Sequence, residues 1–118
     1  MISSCGVHSK NDPALDVCHP FGDFRFRRVP SSARHEDLII HQLKYPHDDA
    51  DLDINFIFPI ERLQELAAEG LLGGLTTNFF SFIGYNMDPE RFERTDAHGV
   101  ADAVAMEEEA DAALLVPA

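Results

Sequence analysis

The chain has 118 residues, with 9 Lys+Arg against 21 Asp+Glu and a formal net charge of −12. A field of that sign repels phosphate backbones and anionic lipid, so nucleic acid and membrane surfaces are excluded as partners. An apolar content of 45% with nine Phe provides for one folded domain over 1–118, and no apolar run approaches the roughly 20 residues that span a bilayer.

Residues 1–22 read as irregular, punctuated by Gly6, Pro13, Pro20 and Gly22. The opening Met1-Ile2-Ser3-Ser4-Cys5 lacks a basic start and an apolar stretch, which predicts a cytoplasmic protein with Cys5 and Cys18 as reduced thiols. Phe24-Arg25-Phe26-Arg27 alternates apolar with basic, the pattern of a half-exposed strand that Pro30 would end. Leu38-Ile39-Ile40 predicts a more buried strand with His41 at its carboxyl end. The stretch 46–53 is an acidic loop, and 56–58 is too short to classify by periodicity. A helix is predicted over 59–69. Pro59 suits its first position, Ile60, Leu63, Leu66 and Ala67 form one stripe, and Gly70 suits the left-handed residue after the last turn. The segment 75–85 is β-rich, and Pro89 opens a second helical region that runs to about Glu109 with a break near Gly99. The close, 111–118, reads as a buried strand. That alternation predicts βαβ units in a mainly parallel sheet: an α/β, three-layer sandwich of Rossmann-like type, thin enough to be incomplete.

Taken one at a time, the chemistry-bearing motifs are weak. From Asp49, carboxylates recur at the first, third and fifth positions of a calcium loop, but Ile54 and Ile60 stand where Gly and a bidentate Glu are needed. A solvated acidic loop is therefore expected, in which Asp53 and Asn55 bond the local chain in Asx-type turns. None of the six His shows the pattern seen in zinc hydrolases, two His at helical i, i+4 spacing with a carboxylate, so no zinc site is expected. Gly70, Gly73 and Gly74 follow a helix rather than a strand, the reverse of a dinucleotide fingerprint.

Taken in order, several segments resemble one family. They are Gly6-Val7-His8, the run Phe21-Gly22-Asp23-Phe24-Arg25-Phe26-Arg27, and Asp53-Ile54-Asn55-Phe56-Ile57-Phe58-Pro59-Ile60-Glu61-Arg62-Leu63 with Glu65-Leu66-Ala67-Ala68-Glu69-Gly70. Ser81-Phe82-Ile83-Gly84 and the closing Ala110-Asp111-Ala112-Ala113-Leu114-Leu115 complete the series. It is similar to the selenoprotein component of glycine, sarcosine and betaine reductases and of D-proline reductase, with 53–70 its most specific part. The resemblance implies an oxidoreductase subunit that reductively cleaves a C–N bond of an amino acid or an N-methylated glycine. It also implies a small amino-acid substrate, partner subunits of which one carries a pyruvoyl group, and a redox selenocysteine or cysteine.

That residue would fall immediately beyond Ala118, and Cys5 and Cys18 match no redox motif. The expectation is therefore a chain ending where an in-frame TGA encodes selenocysteine; a truncation, or a second chain carrying the remainder, is the rival. No catalytic nucleophile and no metal ligand are expected within 1–118, and the chain alone should be inactive. His8, His41, Asp53 and Asn55 are the candidates for positioning substrate or the redox loop, His8 because it leaves the carboxyl end of a first strand. Two alternatives stand beside the enzyme reading. One is a non-catalytic module of the same fold whose open sheet edge binds a partner subunit or a second copy. The other is an acidic metal-binding domain.

Overall fold

The computed structural model describes all 118 residues and places six short strands in two sheets. The strands are β1 (Ile2–Ser3), β2 (Val7–Ser9), β3 (Arg27–Pro30), β4 (Leu38–Ile40), β5 (Asn78–Ser81) and β6 (Leu115–Val116). Four of them form the larger sheet in the order β3-β5-β1-β6. β1 lies inside it, parallel to β5 through Ile2–Phe80 and to β6 through Ile2–Leu115, while β3 runs antiparallel to β5. β2 and β4 form a separate antiparallel pair. The fold is α/β, as the alternation of segments predicted, and two of the three pairings in its larger sheet are parallel.

Neighbouring strand residues face opposite ways, and β5 uses this to build two cores. Phe79 packs in the larger cluster with Phe58, Ile54, Ile60, Val7 and Val29. Phe80 faces the other side, where Val100 and Ala103 cover it and Phe26 packs 6.0 Å away, centroid to centroid. Phe58 and Phe80 are almost wholly buried; burial of each such ring contributes about 1.5–3 kcal/mol.

The helices are α1 (Asp48–Leu52), α2 (Ile60–Ala68), α3 (Pro89–Phe92) and α4 (His98–Asp102). α2 follows the prediction closely. Ile60 is buried, Leu63 packs on the core and Leu66 stays partly exposed. Gly70 adopts φ +75°. Its N–H donates to Ala67 O while Leu71 N–H reaches back to Leu66 O, which closes the helix with a Schellman turn. Asp88 caps α3 by accepting from Arg91 N–H at 3.0 Å, and Pro89 takes the first helical position.

Several details differ from the sequence expectation: the stretch 1–22 read as irregular holds β1 and β2, because both find strand partners far along the chain, and the acidic loop holds α1. The strand expected at 24–27 lies at Arg27–Pro30 instead, with Pro30 as its last residue, a position an edge strand tolerates. Helical geometry runs unbroken from 89 to 107, and its irregularities are the π segments Glu93–Ala97 and Ala103–Glu107, not Gly99. Gly99 instead lets Phe26 approach, because a Cβ there would sit 3.0 Å from Phe26 Cε1. The closing strand is not buried: β6 is an edge strand, with Leu114 and Leu115 exposed.

Candidate functional site

Two of the four candidate residues meet across 33 positions of sequence: His8 Nε2 lies 2.7 Å from His41 Nδ1, with ring centroids 4.7 Å apart. Pairing of β2 with β4 brings them together, since His8 sits in β2 and His41 follows β4. The backbone beneath them is tight. Gly6 takes φ +70°, donates its N–H to Phe82 O at the end of β5 and accepts from His41 N–H at 3.0 Å. A Cβ at Gly6 would stand 2.5 Å from His41 O. Only glycine fits there.

The surroundings fix the pair further. His8 is buried, and its Nδ1 is 2.7 Å from Ser9 O. Burial holds its imidazole below the ordinary histidine range, the Ser9 carbonyl opposes this, and His41 and Arg27 reinforce it. Gln42 is buried and folds back to accept from Leu43 and Lys44 N–H, turning the chain after His41. Tyr45 Oη then donates to Cys5 O at 3.0 Å, tying the loop to the end of β1. Cys5 is itself fully buried, 3.6 Å from Ser81 Oγ, and burial pushes its thiol up. A buried thiol of that kind is inert; Cys18 is free and exposed.

Asp53 and Asn55 form a second, local pair. Asp53 Oδ1 accepts from Asn55 N–H at 3.0 Å and from Asn55 Nδ2 at 2.7 Å. Asn55 Oδ1 in turn accepts from Glu61 N–H at 3.1 Å and from Arg62 N–H at 3.4 Å, which are free donors of the first turn of α2. Asn55 thus caps α2 from five residues upstream, a task Pro59 cannot perform with its own side chain. The hydrogen bonds from Asn55 hold the exposed Asp53 carboxyl below the usual carboxylate range. No hydrogen bond links this pair to His8–His41. Residues 48–52 of the acidic stretch are helical, forming α1, with Asp51 Oδ2 bonded to His47 Nδ1 at 2.9 Å.

A polar cavity of about 440 Å³ lies between loop 16–25 and helix 89–97 and is lined by Asp16, His19, Asp23, Arg25, Arg91 and Thr95. Burial would raise the Asp23 carboxyl, but the Arg25 guanidinium and the N–H groups of Asp16 and Arg25 outweigh it and hold Asp23 at about 2. Asp96 has no such partner. It is buried, its Oδ2 makes no hydrogen bond, and burial followed by the charge of Asp23 pushes it up to about 6. The sequence offers one signal for this cavity, Asp23 two positions from Arg25; nothing in it pointed to Arg91 or Asp96.

Comparison with known proteins gives the site its context. The chain is similar to D-proline reductase subunit gamma of Acetoanaerobium sticklandii. The two are 32% identical over 115 residues, which is 98% of this chain and 46% of that subunit. This chain therefore spans about half the length of that relative. The likeness agrees with the resemblance that 53–70 carries. No family model and no solved structure matches the chain, and no helix is long and apolar enough to cross a membrane.

Proposed function

We propose that this chain forms part of a subunit of a selenol- or thiol-dependent reductase that cleaves the C–N bond of an amino acid, with D-proline as substrate. The observation that carries the reading is the 32% identity to D-proline reductase subunit gamma across nearly the whole chain. On this reading other reductase subunits are its partners, one of them bearing a pyruvoyl group. The redox selenocysteine or cysteine belongs beyond Ala118. Ser4 Oγ supports that placement, because it bonds both Ala118 N–H and Ala118 O and so holds residue 118 at the carboxyl end of β1. Ligands of parallel α/β sheets gather at that end of the strands. His8 and His41 act on the substrate side. Asp53 and Asn55 act indirectly, by fixing the start of α2.

The exposed edge strand β6, with Leu114 and Leu115 bare, favours a second reading in which the chain serves only to bind a partner. One experiment separates the two. The subunit encoded by the complete gene is purified with its co-encoded partners and assayed for D-proline-dependent oxidation of a dithiol, beside the 118-residue chain alone. The reductase reading expects turnover by the assembly and none by the chain. An inert assembly that nonetheless binds the chain tightly would favour the binding module, and turnover by the chain alone would refute the placement of the redox residue. Reading the codon after Ala118 as anything but TGA or a cysteine codon would refute that placement too.

A further inference from the structure

We propose that His41 Nε2 is the proton-transfer atom of the site and that His8 is its positioning residue, the two forming a relay locked in one tautomer. The tautomer of His8 is set at Ser9. A carbonyl oxygen can only accept, so the 2.7 Å contact from His8 Nδ1 to Ser9 O requires the hydrogen to sit on Nδ1. A neutral imidazole carries one N–H, so His8 Nε2 presents a bare lone pair. Burial favours the neutral His8 ring, the Ser9 carbonyl and Asp12 acting against it and His41 and Arg27 with it. The bare Nε2 stands 2.7 Å from His41 Nδ1, which must therefore carry the hydrogen of that bond. One nitrogen remains. His41 Nε2 has no hydrogen-bond partner and is not among the buried unpartnered polar atoms, so it reaches solvent from a half-buried ring.

Any proton gained by the pair thus goes to His41 Nε2, since the other three ring nitrogens are committed. Both imidazoles are held in the Nδ1–H form, the less populated tautomer of a free histidine side chain in water. Gly6 and the β2–β4 pairing set the register that makes this possible, and Gln42 and Tyr45 hold the loop behind His41.

The chemical role rests on the reductase reading above. A selenolate or thiolate attacks the substrate carbon, a carbon–chalcogen bond forms, and the C–N bond breaks with its electron pair leaving on nitrogen. His41 first takes a proton from solvent at its bare Nε2, then gives it to the departing nitrogen and returns to the neutral form described. A second thiolate then attacks the chalcogen and the carbon–chalcogen bond breaks, its carbon taking a proton, so the two electrons are supplied as chalcogenolate and thiolate end joined in a chalcogen–sulfur bond.

The test begins with the wild-type chain uniformly labelled with ¹⁵N, above the ordinary histidine titration range. Long-range ¹H–¹⁵N spectra should show Nε2 of both His8 and His41 at the position of a bare ring nitrogen. An Nε2–H signal from His41 overturns the proposal, whatever the protein's activity. His8→Phe keeps ring volume but removes the acceptor, and should shift His41 towards the Nε2–H form; an unchanged His41 spectrum contradicts the positioning role. His41→Asn retains a donor where Nδ1 stood and removes Nε2. In the assembled reductase it should lower kcat by roughly 10²–10⁴-fold, the usual worth of a positioned acid or base, with KM little changed. A kcat within a few-fold of wild type overturns the proton-transfer role. A wild-type assembly inert towards D-proline overturns the reductase reading and the donor role together, while Nδ1–H tautomers would still establish the locked pair.

Discussion

The His8–His41 pair and the Asp53–Asn55 pair each turn on a 2.7 Å hydrogen bond, yet they are built in opposite ways. The first joins residues 33 positions apart and exists only because β2 and β4 align. The second joins residues two positions apart and needs nothing beyond the turn entering α2. A pair of the second kind organises local structure. A pair of the first kind leaves a nitrogen, His41 Nε2, free for chemistry. The contrast teaches that the residues easiest to connect in the sequence are the ones whose side chains the fold has already used.

The largest blow to the contrast falls on Gly6. Gly6→Ala must place a side chain at φ +70° with its Cβ 2.5 Å from His41 O. The left-handed penalty and the clash together should cost about 2–4 kcal/mol, measured by denaturant unfolding. Hydrogen exchange should show α2 intact while the protection of His41 N–H collapses. A loss shared equally by α2 would show that the two regions are not independent.

Next in size is Asp96, which belongs to neither pair and shows what a missing partner does. Its carboxyl rises from 3.8 to about 6 on folding. The folded state therefore holds the proton more tightly, so this group's contribution to stability is full below pH 3.8 and is lost as pH rises towards about 6. Asp96→Asn should stabilise the chain at neutral pH by about 1–2 kcal/mol, less than the full shift because water reaches part of the site. Thermal unfolding across that window checks it, and the variant should lack the decline. Asp23 carries the opposite sign: with its carboxyl held at about 2, its contribution is present above 3.8 and fades as pH falls towards 2.

Loss of the cap is smaller. Asn55→Ala removes the acceptor for two first-turn N–H groups of α2 and should cost about 1 kcal/mol, with faster exchange at Glu61 and Arg62. Asp53→Ala should have the smallest effect of the four, because Asp53 is exposed and acts only through Asn55. Neither should move the His8–His41 spectra.

How much of this was legible follows from the range of each interaction. α2 could be read from Ile60, Leu63 and Gly70, because periodicity and left-handed termination are local signals. So could β4 and the position of His41 after it. The strand at 24–27 was misplaced because its alternation serves other contacts: Phe26 packs on Phe80 and Gly99, while Arg25 turns to Asp23. Partnership with β5 sets the strand at Arg27–Pro30. The closing strand was misjudged as buried because Leu114-Leu115-Val116 is apolar whether it lies inside a sheet or at its edge, and only the strand order decides. His41 was legible as a strand-end residue, whereas His8, expected at the carboxyl end of a first strand, lies in the middle of β2. Their hydrogen bond was not legible, since no local pattern records which strands will pair.

The most direct test of the assembled-pair account sets two variants of the whole reductase side by side: His41→Asn, which deletes the free nitrogen, and Asn55→Ala, which loosens a helix start. The account predicts that D-proline turnover falls roughly 10²–10⁴-fold in the first and stays within a few-fold of wild type in the second. Equal losses, or a greater loss in the second, would contradict it.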